Sequence, residues 1–467
     1  MATFLQALPE SGQRPWAYGS NHTPGSLRLL SVPSLLTSKP TIELSEWRNL
    51  RLASSPRNIP RYAAVSHCWT PSPSVAKLAE QANRPLDITI EDAQLHRISW
   101  HGLCQAAFAA RHLGCEYLWL DFICLHQTSS LDKKLQIENM GHIYSRAKAV
   151  IVMPGGVAAA QDARDEAYWI ERAWTLQEAT LCPNTHALVL HPELGDVCAV
   201  EYSCSTAMVN YNVQNIRDDL ALSTLSDLLS IRGGVSLKVR HRPDGPWIER
   251  EYSAACFGKS SCGSEALLAL LAADNDAMRK SAVWRCLWLR TSKKEQDMVF
   301  SVMHLLGLKV EIDYGRSLED LILELARKSA SQPWWLDIGD KMAVHPRSGL
   351  LPALPVFQPH KPPVYLTPSG QVAASQYVNI GGYTRRFDIK ILTPVDIGSF
   401  DGDLVCATIF SIDELGSAIS GAAGSHVMVI GDQACDMHSA YDFIGPKARF
   451  LRRLRAGTWE VFGNGTM

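Results

Sequence analysis

Tyr117-Leu118-Trp119-Leu120-Asp121-Phe122-Ile123-Cys124-Leu125 is almost continuously apolar and carries a single carboxylate. A run of this length is short for a helix and fits a strand buried on both faces. Upstream, Tyr62-Ala63-Ala64-Val65-Ser66 follows Pro60 as a shorter run of the same kind, and downstream Ala149-Val150-Ile151-Val152-Met153 ends at Pro154-Gly155-Gly156. Between these runs the spacing becomes helical. Trp100, Leu103, Cys104, Ala107 and Phe108 predict a helix from Ser99 to Arg111, with Ser99 as N-cap and Gly114 as its stop. Leu135, Ile143, Tyr144 and Ala147 predict a second from Leu131 to Lys148, and a third is expected from Asp165 to Leu181. Buried strands alternating with helices give an α/β fold, a parallel sheet flanked by helices.

Outward from this core the patterns are weaker. Residues 1–60 are turn-rich and read as an N-terminal lead-in; 61–185 hold the α/β domain. Residues 186–350 read as a mainly helical region, with helical spacing at Ser264–Ala273, Asp297–Leu306 and Ser317–Lys328. Ser317 followed by Asp320 resembles a capping box. Prolines between Pro352 and Pro368 mark a boundary. Residues 351–467 then read as a small β-rich C-terminal domain, with strands expected at Val372–Ile380, Phe387–Leu392, Leu404–Phe410 and His426–Ile430.

In a chain of 467 residues, 46% hydrophobic and 20% charged residues describe a globular protein. A net charge of −2 without a Lys/Arg-rich run gives no footprint for nucleic acid. The N-terminal residues lack the basic and apolar regions of a signal peptide, and Ala266–Ala273, the most apolar run, is too short to span a membrane. The twelve cysteines show no C-x-x-C pair and read as reduced, buried thiols, so a cytoplasmic location is expected. The triplets Asn21-His22-Thr23 and Asn464-Gly465-Thr466 are then chance matches to a glycosylation signal. His67, Cys68, Cys124 and His126 could be arranged around zinc, but such residues at strand ends more often pack in a core, and no metal is expected.

In an open α/β sheet, ligands bind at the carboxyl ends of the strands. Ser66-His67-Cys68-Trp69, Asp121 and the Gly155-Gly156 turn fall there. Asp121 either pairs, points into a site, or caps the next loop, because a buried carboxylate without a partner is costly. Trp174 and Glu178, in Arg172-Ala173-Trp174-Thr175-Leu176-Gln177-Glu178, share one face of a helix. The pair supplies a carboxylate beside a flat ring, or simply an aromatic helix face with Glu178 at its solvated edge. No dinucleotide-binding fingerprint, P-loop, nucleophile elbow or H-E-x-x-H motif is present, and the small-residue run Gly416–Gly424 reads as a loop.

Taken in order, Tyr62–Trp69, Tyr117–Gln127 with Gln136, Ile137, Met140, Ile143 and Tyr144, and Arg172–Glu178 resemble the three signature blocks of the fungal heterokaryon-incompatibility (HET) domain. A weaker likeness, from Arg290 through Asp297 to Leu308, is to the helical segment that often follows such domains. Thr70-Pro71 stands where the family usually has Gly, and His126 where it often has an acidic residue. HET domains are regarded as relatives of Toll/interleukin-receptor (TIR) domains, so the resemblance implies a TIR-like, flavodoxin-like sheet. It also implies heterokaryon incompatibility or programmed cell death as the role. The W-x-x-x-E spacing of Trp174 and Glu178 is similar to the helix carrying the glutamate of NAD-cleaving TIR domains. By that resemblance Glu178 is the catalytic residue of an NAD glycohydrolase, and Ser66, Trp69, Asp121, Trp174 and Gln177 line the substrate pocket. NAD would be the substrate, with no cofactor. The alternative implied by the same family is a non-enzymatic module that self-associates or recruits partners. Either way the resemblance implies a homo-oligomer formed through this domain and an activating protein of unknown identity.

Overall fold

The computed structural model describes residues 2–6, 23–39, 42–47, 59–81, 85–86, 98–191, 199–203, 213–217, 219–230, 235–240, 244–252, 254–257 and 261–328, and the C-terminal strands within 356–466. The chain forms two compact units, Met1–Ile170 with Gln177–Lys259, and Glu171–Leu176 with Ser260–Met467. Gly416–Gly424 and the first residues of the Asn21 triplet lie outside the described residues.

The first unit begins with β1 (Ala2–Gln6), β2 (Leu27–Ser31), α1 (Val32–Leu35), β3 (Ile42–Trp47), β4 (Tyr62–His67), α2 (Pro73–Gln81), β5 (Pro85–Leu86) and β6 (Ile98–Ser99). It continues with α3 (Trp100–His112), β7 (Tyr117–Trp119), α4 (Asp121–Cys124), α5 (Ser130–Arg146), β8 (Ala149–Met153) and β9 (Gln161–Asp162). Helix α6 (Trp174–Thr180) starts in the second unit and ends in the first. There follow β10 (Thr185–Leu190), β11 (Ala199–Ser203), β12 (Val213–Arg217), β13 (Leu220–Thr224), α7 (Leu225–Ser230), β14 (Val235–Arg240) and β15 (Ile248–Tyr252).

The main sheet runs β1-β3-β2-β7-β4-β8-β10-β13-β12, with β9 beside β10. Its centre, β7-β4-β8-β10, is parallel. In chain order these strands read second, first, third, fourth, the flavodoxin-like order whose switch point lies between the first and third strands, here β4 and β8. Every residue of β4 and β8 is buried, as their unbroken apolar runs require. The sheet is not purely parallel: β2 joins β7 antiparallel on one side and β13 joins β10 antiparallel on the other.

Helix α3 keeps its predicted ends. The Ser99 hydroxyl accepts from the Gly102 N–H, and Gly114, at φ +70°, follows the last turn. The strand expected to run through Leu125 instead stops at Trp119, and α4 turns the chain at Asp121. The Asp121 carboxylate accepts its neighbour's Phe122 N–H at 2.7 Å, a local bond that competes with the strand ladder. A short apolar run fits a buried helical turn as well as a strand. The helix expected from Asp165 also shortens. Gln161 Nε2 bonds the Asp165 carbonyl, and the Ala163 carbonyl accepts from Ala255 and Cys256 N–H, so this backbone is committed elsewhere.

Residues ahead of β4 belong to the core sheet. Arg28 in β2 is 1% exposed; its Nη2 meets the buried Asp132 of α5 at 2.5 Å, and its Nε donates to the Cys124 carbonyl at 2.7 Å. Asp132 also accepts from Gly25 N–H (2.7 Å) and His126 N–H (2.9 Å), so charge and lone pairs are matched.

The second unit contains α8 (Ser261–Leu271), α9 (Asp276–Trp288), α10 (Asp297–Phe300) and α11 (Leu318–Lys328). Ser317 caps α11, accepting the Asp320 N–H at 3.1 Å. Strands β16 (Val356–Gln358), β17 (Lys361–Leu366) and β18 (Val372–Ala374) form one antiparallel sheet. Strands β19 (Lys390–Phe400), β20 (Asp403–Ser411), β21 (His426–Cys435), β22 (Phe443–Arg455) and β23 (Thr458–Thr466) form a second, a meander. Residues 375–389, part of two expected strands, lie outside the described residues. Among the described residues no helix is long and apolar enough to cross a membrane.

The Arg28–Asp132 pair generates a stability prediction. Arg28→Met, which keeps the apolar stem and deletes the charge, should cost about 3–5 kcal/mol by leaving Asp132 buried and unpaired. Arg28→Met with Asp132→Asn should recover part of the loss. Urea denaturation of the three proteins checks this.

Candidate functional site

The last residues of β4 decide the arrangement at the carboxyl edge of the sheet. Successive strand residues point to opposite faces, so Ser66 shares a face with Tyr62, and His67 takes the other. The Tyr62 hydroxyl donates to the Ile143 carbonyl, which identifies the Ser66 face as the one covered by α5.

On that face the fully buried Ser66 hydroxyl donates to Glu178 Oε2 at 2.5 Å and accepts the indole N–H of the fully buried Trp169 at 2.9 Å. Glu178 itself is 8% exposed. A hydroxyl that receives one bond and gives another fixes the carboxylate's orientation, and a bond to a charged acceptor is among the stronger kinds. The Trp169 ring packs against Phe257, centroids 5.4 Å apart.

On the opposite face Asp121 is the hub. Its carboxylate accepts from His67 Nε2 (2.8 Å), Trp69 Nε1 (2.6 Å) and Phe122 N–H (2.7 Å). His67 Nδ1 lies 3.0 Å from the Cys68 carbonyl. The Phe122 ring lies against both Trp69 and His67, at 4.6 and 5.2 Å. Gln127 Nε2 anchors the turn by donating to the Asp121 carbonyl. Asp121 therefore pairs rather than standing alone in a strand, and its side chain remains 19% exposed.

The expected pocket residues thus sort into separate groups. Ser66 and Glu178 stand together; Trp69 and Asp121 stand together on the other side of β4. Gln177 is fully buried, and neither atom of its side-chain amide finds a hydrogen-bond partner. Trp174, one turn before Glu178 on α6, belongs to the second unit. There its indole hydrogen-bonds Asp297, which also accepts from the Tyr314 hydroxyl (2.8 Å) and Ser292 Oγ (2.9 Å). Burial pushes the Asp297 pKa up, opposed by these bonds. Arg290, 2% exposed, donates to the Arg172 carbonyl and to Thr175 Oγ1, at 2.9 and 2.8 Å.

The Gly155-Gly156 turn is filled by the chain itself. A Cβ at Gly155 would collide with Gln161 Oε1 and Val75 Cγ2, and Gly156 holds φ +101° against Cys68 and Pro71. The glycines allow close backbone approach here and leave no phosphate-sized cradle. Burial raises the Cys115 thiol to about 11 and the Cys124 thiol to about 12, so both stay protonated near neutrality. No group of three or more metal-ligating side chains occurs among the described residues. Trp169 is the partner that sequence reasoning missed; His67 was placed at the strand end, but not as the partner of Asp121. The available signal was that a buried indole N–H needs an acceptor.

Residues 62–167 match the family model described as heterokaryon incompatibility protein (HET). The match takes in both strand-end clusters and stops just before Trp169, so Glu178 lies beyond it. No curated protein and no solved structure matches the chain.

Ser66→Ala removes the hydroxyl that joins two buried groups. It should destabilise the first unit by about 1–3 kcal/mol, because Trp169 Nε1 loses its acceptor and Glu178 a donor. Guanidinium unfolding followed by tryptophan fluorescence checks the size of the effect.

Proposed function

We propose that this protein, which carries a HET domain over residues 62–167, acts in heterokaryon incompatibility or programmed cell death by hydrolysing NAD at the nicotinamide–ribose bond. The observation that carries this reading is the Ser66–Glu178 bond of 2.5 Å. It lies at the carboxyl end of β4, beside the β4/β8 switch point, where ligands bind in open α/β sheets. There Glu178 is a carboxylate oriented in advance, the requirement for stabilising charge that develops during reaction.

In this reading Glu178 stabilises positive charge on the ribose as the glycosidic bond electrons leave with the nicotinamide nitrogen. Water then adds at the ribose carbon and releases a proton, an oxocarbenium-like course related to glycoside hydrolysis. Ser66 is the positioning residue for Glu178, and Trp169 holds Ser66. Gln177 supplies a buried amide whose donor and acceptor are both unmatched, a partner for the carboxamide of nicotinamide. Trp69 and Asp121 border the same edge of the sheet from the His67 side and would bound the pocket there. The kinship of HET with TIR domains supports the assignment of Glu178.

A second reading has its own observation. Glu178 is 8% exposed and already hydrogen-bonded, as a purely structural carboxylate would be. The domain would then act by self-association and recruitment, with the same fold and no chemistry.

The two readings separate in one assay. Purified, concentrated protein should consume NAD and release nicotinamide, and Glu178→Gln should lower the rate at least about 100-fold with self-association unchanged. Absence of NAD loss in wild-type protein that does self-associate, measured by light scattering alongside, supports the scaffold instead.

A further inference from the structure

Helix α6 is seven residues long, Trp174–Thr180. A helix of two turns does not hold itself in water, so its geometry is set by what it is attached to. Its C-terminal half is attached through the Ser66–Glu178 bond. Its N-terminal half is held within the second unit, to which residues 171–176 belong together with Arg290 and Asp297.

We propose that Arg290 and Asp297 are positioning residues for α6 and, through that helix, for the Glu178 carboxylate; the inference rests on the reading of Glu178 as the catalytic group. Just ahead of the helix the chain forms a parallel bridge between Arg172 and Thr291. Thr291 N–H donates to the Glu171 carbonyl, and Ala173 N–H donates to the Thr291 carbonyl at 2.8 Å. Arg290 Nη1 then donates to the Arg172 carbonyl at 2.9 Å and to Thr175 Oγ1 at 2.8 Å. Thr175 Oγ1 donates its own hydrogen to the same carbonyl at 2.8 Å. Both hydrogens of Nη1 and both lone pairs of the carbonyl are used, so this closed ring of three groups fixes the turn that starts α6.

Asp297 holds the neighbouring residue, Trp174. It is 8% exposed and accepts the Trp174 indole N–H, the Tyr314 hydroxyl and Ser292 Oγ. Tyr314 is itself fixed, with the Phe300 ring edge-on at 5.3 Å and Lys294 Nζ 4.0 Å from its ring centroid. A carboxylate that receives three donors has a set direction, and so has the indole bonded to it. Trp174 precedes Glu178 by one helical turn, about 6 Å at 1.5 Å per residue. A tilt at Trp174 therefore reaches the Ser66–Glu178 bond directly, and misplacing a reacting group by about 1 Å can cost roughly 100-fold in rate. Packing of the second unit accounts for a buried arginine and aspartate somewhere within it. It does not account for both converging on residues 172–175, where α6 begins. The HET match ends at residue 167, ahead of the helix and of both residues that hold it.

Amide hydrogen exchange across residues 177–181 and steady-state NAD hydrolysis, both on the full-length protein, test the inference. Asp297→Ala should speed exchange there about 10-fold, and Thr175→Val, which keeps the volume and deletes the hydroxyl, about 3–10-fold. In both, kcat should fall roughly 10–100-fold with KM changed less than about 2-fold. Asp297→Asn, which keeps the shape and an acceptor oxygen, should recover most of both losses. Ser317→Ala, which uncaps α11 in the same unit, should move neither readout. Thr175→Val carries the test if Asp297→Ala does not fold. Unchanged exchange in the folded variants overturns the proposal, as does faster exchange with kcat unaltered. Wild-type protein that consumes no NAD, while its variants exchange faster across α6, supports the hold on the helix and overturns the catalytic reading instead.

Discussion

Strand β4 is buried along its whole length. Its final polar residues, Ser66 and His67, therefore cannot be satisfied by water and must find partners within the protein. Because they are consecutive in a strand, they find them on opposite faces. Ser66 takes Glu178 and Trp169; His67 takes Asp121, which in turn takes Trp69. Most of what is chemically distinctive in the first unit follows from this one constraint. The chain returns twice to the same strand end, once through α4 and once through α6.

The same constraint extends outward. Asp121 can end β7 because three N–H groups converge on its carboxylate, and the turn it starts delivers Cys124 to the buried Arg28. Arg28 then fixes Asp132 and with it the first turn of α5. A polar chain thus runs from β2 to the helix that covers the Ser66 face. Each buried charge has a partner and further hydrogen bonds, the condition under which such networks specify an arrangement rather than weaken it.

The central sheet was legible in the sequence because β4 and β8 are uninterrupted apolar runs, and the ends of α3 because Ser99 and Gly114 leave local signals. The antiparallel additions were not. Leu27–Leu30 reads as a broken apolar piece among turns, and only the long-range partners of Arg28 show why an arginine sits inside it. The turn at Asp121 was hidden for a related reason: apolar content gives burial but not the choice between strand and helical turn, which a side-chain bond to Phe122 N–H decides. Helix spacing put Trp174 and Glu178 on one face correctly, yet spacing carries no knowledge of Asp297, which engages the indole from the second unit. The resemblance to HET domains put Ser66 and Glu178 in one expected pocket, but their bond, across 112 residues, shows only in the structure.

The central claim is that Glu178, held by Ser66, is the group on which the protein's action turns. Inducible expression in a fungal host of wild type and Glu178→Gln, with NAD content and viability scored in the same cultures, tests it most directly. The account predicts that wild type depletes NAD before viability falls and that the variant, present at equal level, does neither. Cell death by the Glu178→Gln protein at the wild-type rate, with NAD unchanged in both, would contradict it.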